Sequence, residues 1–135
     1  MGADHTAGLI VEPGQPQEEM AAASQRAQIV NAVVDSSGFC SFMMINLDDL
    51  RGFYGAYFGE EIKREQIADM GWAILQDEWE FNRRAGFGPE HDVMPDCMKQ
   101  DAIGPAKWVW DVPANGVADA YERFESTDAL FELRS

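Results

Sequence analysis

Ala22, Ile29, Val30, Val33 and Val34 fall at spacings that share one face of an α-helix, and this stripe predicts a helix over 16–34. Pro16 suits the first helical position, where its missing N–H is an orphan anyway. Glu18 and Glu19 place negative charge in the first turn, and Ser36, Ser37 and Gly38 stop the helix. A short apolar run over 39–45 follows and is expected to be buried. A second helix is expected over 47–58, with Asp48 and Asp49 near its start and Gly59 just past its end. The strongest periodicity belongs to a third helix, over 63–85. Ile67, Met70, Ile74, Leu75, Glu78 and Phe81 trace its spacing, Gly86 closes it, and its length is about 30 Å. Prolines at 89, 95, 105 and 113 make 87–113 an irregular, wrapping segment. A short helix is expected over 117–124 and a last helical turn over 129–133, while 1–15 reads as a loop or extended lead-in. The pattern is that of a mainly α, irregular multi-helix domain with a long central helix and a Pro-rich wrapping segment.

Composition narrows this picture. A chain of 135 residues is expected to form a single domain, burying roughly two thirds of its unfolded surface. A formal net charge of −14 excludes general electrostatic binding to nucleic acid or to an anionic membrane surface. The acids lie scattered in pairs, as in Glu18-Glu19 and Glu60-Glu61, and read as solvated faces. No stretch is long and apolar enough to span a bilayer, and no signal peptide is visible. Two cysteines, Cys40 and Cys97, with no Cys-x-x-Cys pair, argue against a disulfide framework and for a reducing, cytoplasmic location. Seven methionines and four tryptophans are more packing surface than a small domain needs, which points to a partner.

The most pointed chemistry lies in Asp35-Ser36-Ser37-Gly38-Phe39-Cys40, where the first helix stops. A carboxylate just beyond a helix can accept paired hydrogen bonds from adjacent N–H groups, such as the edge of an aminopyrimidine. Gly38 can adopt a left-handed conformation and let the backbone approach a ligand closely. Cys40 can supply one thiolate to an iron–sulfur cluster, which normally takes four. The same residues also read as ordinary helix-stop chemistry, with Cys40 a small buried hydrophobe.

Several pieces in order resemble the C-terminal helical region of the tungsten-containing aldehyde ferredoxin oxidoreductases. The Asp35-x-x-Gly38-Phe39-Cys40 run is similar to that family's Asp-x-x-Gly-Leu-Cys motif, with Phe39 in place of the usual leucine. Downstream, Phe81-Asn82-Arg83-Arg84-Ala85-Gly86-Phe87 and then His91-Asp92-Val93-Met94-Pro95 are similar to the family's Phe-Asn-x-Arg-x-Gly-Phe segment and the acids and Leu-Pro after it. The resemblance implies that Asp35, Gly38 and Phe39 contact a tungsten or molybdenum bis-pterin and that Cys40 is the last of four ligands to a 4Fe-4S cluster. Gly2-Ala3-Asp4-His5-Thr6 also looks like a family segment whose histidine faces the substrate, which would make His5 catalytic. A lone histidine near a terminus is more often an ordinary exposed residue.

The departures matter as much. The family's upstream cysteine cluster and first pterin-binding acid motif are not in this sequence, and Tyr121-Glu122-Arg123-Phe124 is at best a worn counterpart of the family's usual close. The resemblance therefore implies a C-terminal domain or small subunit, incomplete by itself, of an enzyme that oxidises aldehydes and passes electrons to ferredoxin. Its partner would be the N-terminal and central portion of the enzyme or a separate large subunit. A second class stays open: a shortened, non-catalytic homologue acting as an interaction or assembly module or as a homo-oligomer. His91, Asp92, Asp96 and Cys97 match no zinc spacing and read as a surface loop. Trp108-Val109-Trp110 reads as a short strand, a hydrophobic clamp or core packing.

Overall fold

In a computed structural model of the chain, the described residues are 17–102, 104–105, 107, 109, 121–122 and 126–133. Among them the chain runs through α1 (Gln17–Ser36), a 3-10 turn (Ser41–Met43), α2 (Leu47–Phe58), α3 (Arg64–Arg84), a second 3-10 turn (Pro89–His91), α4 (Asp96–Gln100) and α5 (Thr127–Glu132). No strand occurs among these residues, so the domain is mainly α, as the patterning predicts. The expected helix over 117–124 lies outside the described residues except Tyr121 and Glu122, and Trp108 and Trp110 lie outside them altogether.

The core forms where α1 crosses α3. Ile29, Val30, Val33 and Val34 of α1 are buried, and toward the helix start Ala23 and Ala27 take the inward positions while Ala22 stays partly exposed. On α3 the buried positions are Ile67, Ala68, Gly71 and Leu75. Gly71 is the crossing point. A Cβ there would stand 2.6 Å from the Ile29 carbonyl oxygen and 2.8 Å from the Cγ2 atoms of Ile29 and Val33. Only a hydrogen at this position lets the two helices approach so closely. The stripe expected on α3 is thus correct at Ile67 and Leu75 but not at its far end, where Phe81 is exposed. The first turns of α3 pack into the core, and the last turns emerge from it.

Local chemistry sets the ends of the other helices. The Asn46 side chain accepts a hydrogen bond from the Asp49 N–H at 2.7 Å, satisfying one orphan donor at the start of α2. Gly59, at φ 73°, closes the same helix in the left-handed conformation. Leu47 and Leu50 pack inward from α2. Before α3, the Lys63 N–H donates to Gln66 Oε1 at 2.8 Å. At the other end of the chain, Leu130 and Phe131 of α5 join the same core. The Arg64 guanidinium lies 4.6 Å above the Phe131 ring and donates to Asp48 at 2.6 Å. Starting from α3, Arg64 thereby links α2 and α5.

One expectation fails. The run over 39–45 is not buried as a unit: Phe42, Met43 and Met44 are 94%, 64% and 71% exposed, while Phe39 packs partly buried against the core and Ile45 is buried within it. The backbone explains this. A 3-10 turn, closed by the Met43 N–H donating to the Cys40 carbonyl at 2.9 Å, splays successive side chains about a tight axis. Met44 then sits at φ 52°, a left-handed conformation uncommon for a non-glycine residue, before Ile45 reaches inward.

Candidate functional site

The Asp35 to Cys40 segment is built on the end of α1. Val30, Val33 and Val34 are fully buried, so the last turns of the helix cannot rotate, and the residues that follow inherit a fixed direction. Asp35 lies within the final turn of α1, not beyond it as the sequence suggested, and faces solvent. No basic residue accompanies it in that turn. A carboxylate there meets the negative end of the helix dipole, an arrangement that costs a few tenths of a kcal/mol, to about 1, and that helix chemistry alone does not favour.

Beyond Ser36 the chain turns on itself. The Ser37 N–H donates to the Val33 carbonyl at 3.0 Å and the Gly38 N–H to the Asp35 carbonyl at 3.3 Å. Gly38 takes φ +78°, and a Cβ built there meets nothing within 4 Å. The glycine is needed for its backbone conformation, and the space beside it is open. Ser37, which the sequence reading treated only as part of the stop signal, fixes the turn. Its hydroxyl donates to the Val34 carbonyl and accepts the Phe39 N–H at 3.2 Å. A serine just past a helix end is the available sequence signal for such a bond.

Phe39 and Cys40 then part ways. The Phe39 ring is half-buried against the core and meets the ring of Phe53 on α2 with centroids 5.2 Å apart. Cys40 is exposed, which removes the reading of it as a small buried hydrophobe. The segment therefore exposes an acid at the end of α1 and a thiol after the turn that follows, with Phe39 between them as the anchor. The N–H groups of Ser37, Gly38 and Phe39 are engaged within the turn. His5 lies outside the described residues.

The fit to a cluster is partial. Cys97, on α4, is also an exposed free thiol, and among the described residues no group of three His, Cys, Asp or Glu side chains stands ready for a metal. One exposed thiolate suits one corner of a four-thiolate cluster and leaves three to be supplied from elsewhere.

The second resemblance segment occupies the end of α3 and the turn after it. Trp79, Asn82, Arg83, Phe87, His91 and Tyr121 contribute to a hollow of about 850 Å³. Tyr121 donates its hydroxyl to Asp92, and burial, that bond and the Asp92 and Glu90 charges push its phenol up to about 12. His91 Nδ1 accepts the Gly88 N–H at 3.1 Å, so the ring closes a local turn. His91, Asp92, Asp96 and Cys97 are all exposed.

No helix among the described residues is long and apolar enough to cross a membrane. No solved structure matches the chain. Residues 1–128 match the family profile of aldehyde ferredoxin oxidoreductase, domains 2 and 3. With that match covering nearly the whole sequence, the chain belongs to the aldehyde ferredoxin oxidoreductase family.

Proposed function

We propose that this chain is the cofactor-holding C-terminal domain or small subunit of an aldehyde:ferredoxin oxidoreductase-like enzyme and that it is incomplete without the polypeptide bearing the other cofactor ligands. The observation that carries the reading is that Asp35, in the last turn of α1, and Cys40, just before the 3-10 turn, are both exposed, while Phe39 between them packs against the core. Ordinary helix-stop chemistry needs neither an acid against the negative helix end nor a thiol turned to solvent.

In this reading the Asp35 carboxylate accepts hydrogen bonds from the N–H edge of a pterin, and the open space beside Gly38 admits the ring system. Phe39 holds the turn in place, and Cys40 contributes one thiolate. His5 would donate a hydrogen bond toward the substrate oxygen. The tungsten or molybdenum bis-pterin, when bound, supplies the two-electron oxidation of aldehyde to carboxylate, and the cluster carries electrons to ferredoxin.

Anaerobic co-expression with a polypeptide that carries the family's upstream three-cysteine segment and first pterin-binding acid motif tests this directly. The purified complex should contain iron together with tungsten or molybdenum. Cys40→Ala should lose the iron while keeping wild-type solubility and the complex itself. Iron retained in Cys40→Ala would remove Cys40 as a ligand. A colourless homo-oligomer without metal would favour the assembly-module alternative.

A further inference from the structure

The hollow at the end of α3 is lined by aromatic rings in two pairs. Trp79 on α3 and Tyr121, later in the chain, meet with ring centroids 4.8 Å apart and planes tilted by 51°. In the turn that follows α3, Phe87 and His91 pair edge to face at 5.5 Å. His91 Nδ1 accepts the Gly88 N–H, which fixes that ring, and Phe87 is 60% exposed. The space between these rings, about 850 Å³, is of the size that small-molecule sites have. An aromatic face carries partial negative charge, so a cation seated over it is held electrostatically.

The charged groups around the hollow favour the same kind of occupant. Arg83 and Arg84 both hydrogen-bond Glu80, each through Nε at 2.7 Å, so the guanidiniums are drawn to that one carboxylate. Two further carboxylates stand on the ring side. Asp92 accepts the Tyr121 hydroxyl, and Glu90 lies against Gly88, with Oε1 3.4 Å from His91 Nδ1. Among the described residues neither pairs with a lysine or an arginine. Tyr121 lies in their field: burial, the Asp92 bond and the Asp92 and Glu90 charges push its phenol up to about 12. An anion entering the hollow would meet both carboxylates, and an uncharged ligand would gain nothing from them.

We infer that this hollow binds an organic ammonium ion, seated over the Trp79, Tyr121 and Phe87 rings and balanced by the Asp92 and Glu90 carboxylates. An alkylated ammonium suits the lining better than a metal ion does. The rings offer its carbon atoms dispersion contact as well as charge attraction, and no group of three His, Cys, Asp or Glu side chains stands ready for a metal among the described residues. The site uses no residue of the Asp35 to Cys40 segment, so it stands or falls separately from the cofactor reading.

Two conservative variants probe the two halves of the site. Phe87→Leu removes one ring and keeps an apolar side chain at an exposed position. Asp92→Asn, also at an exposed position, removes one charge and keeps an oxygen to accept the Tyr121 hydroxyl. Both should leave the fold intact. Tyr57→Leu, at an 83% exposed position on α2, is the control, an exposed ring outside the hollow.

The experiment is an NMR titration of the full 135-residue chain, without metal, following the Trp79 indole and Tyr121 ring resonances. The probes are choline, its neutral analogue in which tert-butyl replaces trimethylammonium, and Nα-acetyl-lysine amide as the stand-in for a lysine side chain of another protein. Choline should shift both resonances saturably and bind about tenfold more tightly than the neutral analogue, the worth of a partly desolvated cation–π contact. Phe87→Leu and Asp92→Asn should each weaken choline about threefold or more, and Tyr57→Leu should leave it unchanged. Tighter binding of the lysine derivative than of choline supports the site and assigns the ammonium to a protein side chain, and the reverse order supports it with a free ion as occupant. Equal affinity for choline and its neutral analogue overturns the proposal, as does the absence of saturable shifts with every probe.

Discussion

Gly38, Gly52 and Gly71 take the same residue type for different physical reasons, and one substitution tells them apart. At Gly38 the backbone is left-handed and the surroundings are open, so Gly38→Ala costs conformational strain alone, about 1 kcal/mol. Gly52 lies on α2 with nothing within 4 Å of a Cβ, so Gly52→Ala should stabilise by about 0.5–1 kcal/mol through helix propensity. Gly71→Ala gains the same propensity but drives a methyl into the Ile29 backbone, and the overpacking should dominate with a net loss of about 2 kcal/mol. Urea unfolding of the three variants checks both sign and order. Equal effects at all three would contradict the crossing geometry. At the end of α3, Arg83 and Arg84 hydrogen-bond Glu80 and hold its carboxyl at about 2, below its ordinary 4.5. A lowered pKa contributes stability above the unfolded value that is lost as pH falls through the folded one. Carboxyl NMR should therefore place the Glu80 midpoint near 2, moving toward 4.5 in concentrated salt because the cluster is exposed. Glu80→Gln should flatten the stability profile between those two pH values.

Helices whose ends are written in local chemistry were legible in the sequence. The expected 47–58 helix is α2 residue for residue, because Asn46 caps it and Gly59 stops it. The expected 63–85 helix differs from α3 only by the flanking Lys63 and Ala85. Asn46→Ala should remove the bond to the Asp49 N–H and cost about 1 kcal/mol in urea unfolding, with no change in slope if the fold is kept. Other features were not legible because they depend on neighbours distant in sequence. Periodicity on α3 counted Phe81 as inward, but Trp79 is the last side chain of that helix packed against the core and Phe81 is exposed. The hydrophobicity of 39–45 signalled burial, but hydrophobicity does not state which surface does the burying. Nor could any local rule mark Gly71 as a crossing point, since the atoms it must clear lie some forty residues earlier, at Ile29 and Val33. Of the candidate site, sequence supplied Asp35, Gly38 and Cys40. The roles of Ser37 and Phe53 in holding the turn became visible only with the chain folded.

At the scale of the whole molecule, the core ties α1, α2, α3 and α5 together, while α4 contributes no buried residue. Arg64 adds a polar link across the same helices, through Asp48 on α2 and Asp128 on α5. These ion pairs are largely exposed and are worth little beside the apolar contacts. The rigid unit that matters for the proposed cofactor turn is α1, gripped at Gly71 through Ile29 and Val33, with Asp35 in its last turn and Cys40 just beyond its end. From Ile29 to Ser36 the helix rises about 10 Å. It therefore behaves as a lever whose fulcrum lies in another helix. A tilt of about 5° at the crossing swings the far end by nearly 1 Å, and displacements of that size can cost about a hundredfold in rate where reacting groups must align. A methyl group at residue 71, buried and remote from any cofactor, would thus misaim the thiol and the acid together.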